Sequence, residues 1–472
     1  NGCAGYPKYD QVTGLLSFNR FREEVDSVIA SGKGKSCLLV YTDLENFKYF
    51  NRKYGYAAGD QLLREFTGYI IDTLKKRNTA HFTRVVADQF ILFFEEKWNN
   101  GSIEAIKRIN NGFIERQQRK YPEAKLRLRT GVYKVEKDCD GASFAIDAAN
   151  YARRQIQDNS PETVCVYDKT MADLQNMENE IAIGLDKAIK NKEFKIYLQP
   201  RFSLTTGKIV GAESLVRWQR EDGTILPPDS FIPVYEKNGR IIDLDFYMFE
   251  ETVKLLANWK EQGIPQRLIS INASALHAQN SDTVHRYTTI LEKYGVDPAL
   301  IELELTETAT VSDYDHVKQL FAKLQTVGFR TALDDFGAGY SILNTVIDIP
   351  VNTVKVDRAF ISNCETTHKG IYFLREIINL LKGLGYHIVC EGVETPEQAS
   401  ILRNTMCDEV QGYWFSHPVP AHEFEKMLSI TPIHNTPIKI TLIYFLTNSI
   451  TFFIIVFIIW WKSVFIKCFQ YN

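Results

Sequence analysis

The chain has 472 residues, 45% of them hydrophobic and 24% charged, with a net charge of −3. That is a globular composition, long enough for two or three domains. The near-zero charge excludes a general attraction to nucleic-acid polymers or acidic lipid, so a phosphate ligand must be held by metals or a few placed cations.

Eight cysteines are scattered with no CxxC pair and no Cys/His cluster at zinc spacing. They read as buried free thiols of a reducing compartment, which places the domains in the cytoplasm. The chain starts at Asn1 without a signal-peptide pattern and reads as a fragment.

In chain order, the first break is the turn-rich stretch IQDNSPETV (156–164), followed by a short strand, VCVYD. Residues 169–193 carry helical spacing, with Ile181, Leu185 and Ile189 on one face, and read as a connecting helix. Beyond it, strand-like runs alternate with helices. KIYLQP and GAESLVRW come first; a helix over 243–261 leads to LISINAS, one over 282–294 to IELELTET, and one over 314–327 to RTALDDFG. TVKVDRAF, a helix over 370–384, HIVCEGVET, a helix over 396–404 and DEVQGYWF complete the set. Strands alternating with helices predict a mainly parallel sheet. Eight such units in about 250 residues suit a (β/α)8 barrel.

Each run carries a polar residue toward its C-terminal end: Glu213, Asn272, Glu304, Asp334 with Asp335, Lys355, Glu391 and Gln411. In a barrel of this kind those ends converge on one catalytic face. Carboxylates gathered there repel one another unless cations lie between them. Oxygen ligands without His or Cys suit Mg²⁺ or Mn²⁺. Asp334 and Asp335 are adjacent, and adjacent strand residues point to opposite faces. Where the chain turns, with Gly337 and Gly339 permitting positive φ, they reach two metals or brace one site. The alternative is a turn with solvated aspartates.

Ile440–Trp461 holds no charged residue and is flanked by Lys439, Lys462 and Lys467. It is long enough to span a bilayer, which would tether the chain to the inner face of a membrane. A packed terminal helix and an out-of-frame artefact are the competing readings.

Residues 173–430 resemble the EAL domain, a family of cyclic-di-GMP phosphodiesterases. The namesake motif stands as Glu213-Ser214-Leu215, and YLQP (197–200), INAS (271–274), ELTET (304–308), DDFGAGYS (334–341), KVD (355–357), EGVET (391–395) and QGYWFSHPV (411–419) follow in order. The resemblance implies two metal ions, Mg²⁺ or Mn²⁺, on Glu213, Asn272, Glu304, Asp334 and Asp335. It implies that Lys355 orients the attacking water or steadies charge, that Glu391 supports the metals, and that Glu307 shapes the loop after Asp335. Gln199, Arg217 and Gln411 would contact the dinucleotide, and the product would be linear pGpG. A non-catalytic cyclic-di-GMP receptor is the alternative.

Residues 9–168 resemble the GGDEF domain of diguanylate cyclases, through DQVTGLLSFNRF (10–21) and YTDLENFKYFNRKYGYAAGD (41–60). The resemblance puts Asp43 at a metal and Asn51 and Asp60 at guanine. The signature itself departs: it stands as Val86-Ala87-Asp88-Gln89-Phe90, with Asp88 kept, a β-branched residue for glycine and an amide for a carboxylate. An inhibitory product site would need an aspartate where Ala80 stands, three residues after Arg77. The expected organisation is a degenerate GGDEF domain (1–170), without cyclase activity and serving structure or GTP sensing through Asp43, Asn51, Asp60 and Asp88, then an EAL domain (171–430) and the hydrophobic tail (431–472). Family members also suggest a homodimer.

Overall fold

In the computed structural model the described residues are 8–429, except 33, 35–36, 76–79, 96–100, 158–159, 307–312, 338–347 and 365–366. Arg77, Glu307, Gly339 and the tail therefore lie outside them, and among the described residues no helix is long and apolar enough to cross a membrane. The chain divides into two compact units, Asn1–Glu180 and Ile181–Asn472.

The first unit is built on five strands: β1 (Cys37–Glu45), β2 (Ala80–Val86), β3 (Gln89–Glu95), β4 (Arg127–Lys134) and β5 (Val164–Val166), in the order β2-β3-β1-β4-β5. β1 runs antiparallel to both neighbours, and β5 is parallel to β4. The period-2 alternation of β1 builds two cores. Leu38 and Val40 pack with Leu62, Phe66 and Phe113, while Leu39 and Tyr41 pack with Phe21, Val25, Ala145 and Ala149. Each large side chain buried this way contributes about 1.5–3 kcal/mol. The helix Gly141–Arg154 lies so close to β4 that a Cβ at Gly131 would stand 1.9 Å from the Ala149 carbonyl and 2.4 Å from the Arg153 nitrogen. Glycine at 131 is what lets Arg153 approach the end of β1.

The second unit contains β6 (Phe194–Ser203), β7 (Ile209–Gln219), β8 (Ile225–Leu226), β9 (Leu268–Asn272), β10 (Ile301–Thr306), β11 (Arg330–Phe336), β12 (Thr353–Val356), β13 (His387–Cys390), β14 (Glu409–Val410) and β15 (Val419–Pro420). Eight of these close a barrel in the order β6-β14-β13-β12-β11-β10-β9-β7, with β7 returning to β6. The expected barrel is present, with one difference from a uniform (β/α)8 plan. β6 is antiparallel to both β7 and β14, whereas β7 and β9 through β14 are mutually parallel. The physical reason is the connection between β6 and β7, Leu204–Lys208 with Gly207 at φ 66°: a hairpin loop, too short for a crossover.

Outward-facing apolar residues of the barrel strands, among them Ile269, Ile271, Leu303, Leu333, Val354 and Ile388, join the core formed with the surrounding helices through Phe249, Val253, Phe321 and Ile378. The alternate positions face inward, and those carry the polar residues.

Candidate active site

The inward residues at one end of the barrel meet around a single ammonium group. Lys355, on β12, is fully buried; its Nζ lies 2.6 Å from Glu304 Oε2, 2.7 Å from Glu391 Oε1, 3.3 Å from Asp334 Oδ2 and 3.5 Å from Glu213 Oε2. Carboxylate oxygens of Glu213, Glu304 and Asp334 lie within 4.8 Å of one another. Asn272 Nδ2 donates to Glu213 Oε1 at 2.8 Å, and Gln411 Nε2 donates to Glu213 Oε2 at 2.6 Å and to Gln199 Oε1 at 3.1 Å. Residues from eight strands or strand ends thus converge, through parallel register that sets Glu304 beside Asn272 and antiparallel register that sets Gln199 opposite Glu213.

Glu213 is not at its strand's end: β7 runs on to Gln219 and pairs with β8, because it outlasts β9 beyond the barrel rim. Arg217 stands on that extension, on the same strand face as Glu213. Its guanidinium is 5.6 Å from the Tyr197 ring centre, and its Nη1 donates to the Val216 carbonyl. Asp335 itself takes the left-handed conformation, φ 57°, at a register shift between Leu333 and Phe336, and its amide donates to Asp334 Oδ1 at 2.8 Å. Positive φ was expected of the glycines; Gly337 has it (99°), but the turn begins one carboxylate earlier. This bulge breaks the alternation that would put the two aspartates on opposite faces.

The electrostatics are those of too many acids for one cation. Burial raises Glu304 to about 8, with Lys355 opposing and the like charges of Glu213 and Asp334 adding to the rise. Burial and Asp334 push Asp335 to about 6, and burial lifts Glu391 well above its ordinary value. Glu213 is also penalised by burial, yet Lys355 and the amides of Gln411 and Asn272 hold it low. Burial opposes the charge of Lys355, but the surrounding acids raise it far above the usual lysine value. Glu304 Oε1 and Gln411 Oε1 are buried without a hydrogen-bond partner. Unsatisfied oxygen atoms among clustered carboxylates, with no nitrogen or sulfur ligand in the group, are what a hard divalent cation requires.

The strand-end reading did not anticipate a cavity of about 240 Å³ beside Asn272, walled by Leu215, Ile232, Leu244 and Ile271 with Asp245 at its side. His277 is buried on a 3-10 turn with Nε2 3.0 Å from Asp245 Oδ2. No local motif flags this pair. At the other side of the mouth, Gln199 Nε2 donates to the Ser416 carbonyl, and Tyr413 stacks on His417 with ring centres 4.1 Å apart.

In the first unit, Asp43 is buried at the end of β1 and is held by two guanidinium groups: Arg153 Nη1 at 2.5 Å and Arg129 Nη2 at 3.0 Å. Asp88 accepts the Leu44 amide at 3.1 Å, and burial together with Asp43 raises its pKa. Asn51 Oδ1 is buried without a partner, and Asp60 is half-buried on the helix Tyr56–Leu74. The signature turn places its positive φ, 49°, on Ala87 rather than on Val86, whose side chain is 58% exposed.

An α/β unit followed by a barrel whose mouth gathers carboxylates defines a class of two-domain protein. Residues 7–160 match the family described as diguanylate cyclase, GGDEF domain, and residues 184–418 match the EAL domain; the chain belongs to the proteins that carry these domains in tandem. It is similar to the signaling protein YkoW of Bacillus subtilis, 29% identical over 398 residues, which are 84% of this chain and 49% of that protein. The cyclic di-GMP phosphodiesterase NbdA of Pseudomonas aeruginosa is 27% identical over 423 residues, 89% of this chain and 54% of that protein. The chain thus spans about half the length of these curated relatives. The S helix-GGDEF-EAL structure of Vibrio cholerae LapD, bound to c-di-GMP, shares the fold at 18% identity and a TM-score of 0.55, over 86% of this chain and 95% of that one.

Proposed function

We propose that the barrel is a metal-dependent phosphodiesterase that opens cyclic di-GMP to linear pGpG. The observation that carries this is the cluster around Lys355, in which three carboxylates share one small volume and Glu304 keeps a buried, unpartnered oxygen. Relatives named as cyclic di-GMP phosphodiesterases support the substrate.

Glu213, Asn272, Glu304, Asp334 and Asp335 would hold two Mg²⁺ or Mn²⁺ ions. Bound there, such ions supply a water of lowered pKa and polarise a phosphoryl oxygen. The chain's own groups do the rest. Lys355 keeps its proton among the acids and presents a fixed positive charge where the phosphorane gathers negative charge. Gln411 fixes Glu213 and is itself held by Gln199 on the neighbouring strand. Arg217, beyond the rim, offers a cation to a second phosphate. The cavity beside Asn272 suits a guanine, whose adjacent N1–H and N2–H donors match a carboxylate such as Asp245 between apolar walls. Water's oxygen joins phosphorus as the bond to the ribose 3′ oxygen breaks, leaving a 5′-phosphate and a free 3′-hydroxyl.

The first unit is proposed to lack cyclase activity: Val86 and Gln89 depart from the signature, and Asp43 already has two arginine partners. Incubation with cyclic di-GMP and Mn²⁺, followed by chromatography, tests the main reading. Linear product is expected; binding without turnover would replace the enzyme with a receptor.

A further inference from the structure

A second polar layer lies directly beneath the first, inside the barrel. Each member is two residues from a mouth residue on the same strand: Arg201 from Gln199, Ser270 from Asn272, Glu302 from Glu304, Thr353 from Lys355, and Glu409 from Gln411. Its centre is Arg201, whose side chain is wholly buried. Arg201 Nη1 donates to Ser270 Oγ at 2.7 Å and to Glu302 Oε2 at 2.6 Å, and its Nε lies 3.0 Å from Glu409 Oε2. Thr353 Oγ1 donates to the other oxygen of Glu302, and His387 Nε2 meets Glu409 Oε1 at 2.7 Å. Gly211, two residues before Glu213, makes the room: a Cβ there would stand 3.4 Å from Arg201 Nε and 2.7 Å from the Leu268 carbonyl.

This is one guanidinium tied to three strands besides its own, β9, β10 and β14, at the rung below Asn272, Glu304 and Gln411. A rigid fork holds that spacing; an aliphatic side chain there leaves Glu302 and Glu409 without their shared cation.

We propose that Arg201 is a positioning residue for the barrel-mouth cluster, setting the spacing of Asn272, Glu304 and Gln411 through the strands that carry them, and thereby the affinity of the cluster for divalent cations. This rests on the phosphodiesterase reading for its purpose but not for its test, because cation binding is read without substrate.

The experiment is Mn²⁺ titration by calorimetry of the full chain, wild type against Arg201→Met, with thermal unfolding in parallel. Groups behind metal ligands typically change affinity about 10–100-fold when removed, and that loss is expected in the folded variant. A lower melting temperature with unchanged Mn²⁺ affinity would overturn the proposal, since a merely structural role moves the first and not the second. If Arg201→Met does not fold, Glu409→Gln serves, because it leaves Arg201 its bonds to Ser270 and Glu302. A weaker Mn²⁺ affinity there supports the proposal, and an unchanged one overturns it. Should wild type bind Mn²⁺ yet hydrolyse no cyclic di-GMP, the enzyme reading fails while this comparison still runs.

Discussion

The barrel mouth and the end of β1 both gather acids at strand ends, yet their ratios of cation to acid differ. At the mouth one ammonium faces four carboxylates, and one oxygen of Glu304 has no partner at all. At Asp43 two guanidiniums bond one carboxylate, with the like charge of Asp88 nearby. The first arrangement leaves charge for protons or added cations to neutralise, which is why its acids are raised; the second carries its own cations. A strand-end aspartate therefore says little about metal until the cations around it are counted, because a buried charge must be neutralised by something.

Glu213→Ala tests the mouth most severely. It removes an oxygen that Asn272, Gln411 and Lys355 all address. If metal ligation supplies about 4 kcal/mol of transition-state stabilisation, turnover with Mn²⁺ drops about a thousand-fold. Wild-type turnover in that variant would remove the site from the barrel mouth.

Lys355→Met comes next. Removing the partner of a buried charge costs about 3–5 kcal/mol, so denaturant unfolding in chelator should show a loss of that size. The deficit relative to wild type should shrink in Mn²⁺, because cations can take the place between the acids. A deficit equal in chelator and Mn²⁺ would mean that the cluster is an ordinary ion-pair network.

How much of this was legible beforehand follows from what each feature needs. Glu304, Lys355 and Gln411 could be found because the strand period is two and their outward neighbours, Leu303, Val354 and Val410, are apolar. The direction of β6 was also written in the chain, in a five-residue loop containing Gly207, but a run of alternating strands and helices masks it. Arg201 was not legible: it follows YLQP with no motif to mark it, and only closure of the barrel places Glu302 and Glu409 on either side of it. The same is true of Asp43. Its own strand announces an acid, whereas Arg129 and Arg153 arrive from β4 and from a helix more than a hundred residues along. Local pattern reports which face a residue takes; it does not report which charge waits there.

Arg153→Met sharpens the contrast from the other side. Asp43 keeps Arg129 but loses a charge-assisted bond, a type worth about 1.5–3 kcal/mol. The deficit relative to wild type should be the same in chelator and in Mn²⁺. Recovery in Mn²⁺ would show that Asp43 becomes a metal ligand once a guanidinium leaves, and the two sites would then differ in degree only.

Glu250 gives the smallest effect and anchors the satisfied end of the scale. Its Oε1 accepts from Lys293 Nζ at 2.8 Å and from the Tyr294 hydroxyl at 2.7 Å, with Lys254 Nζ at 3.6 Å. The bond from Lys293 is the main reason that this carboxyl titrates near 2 rather than 4.5. A carboxylate depressed in the folded state stabilises above the unfolded value and loses that contribution as pH falls from about 4.5 toward 2. The group is partly exposed, so screening holds the effect below about 1 kcal/mol. Glu250→Gln should flatten the acid limb of the stability profile by that amount and leave stability below pH 2 unchanged. It should be indifferent to Mn²⁺, since three donors already surround a single carboxylate. An effect of several kcal/mol, or one that depended on metal, would mean that counting cations around an acid does not separate metal sites from ion pairs in this protein.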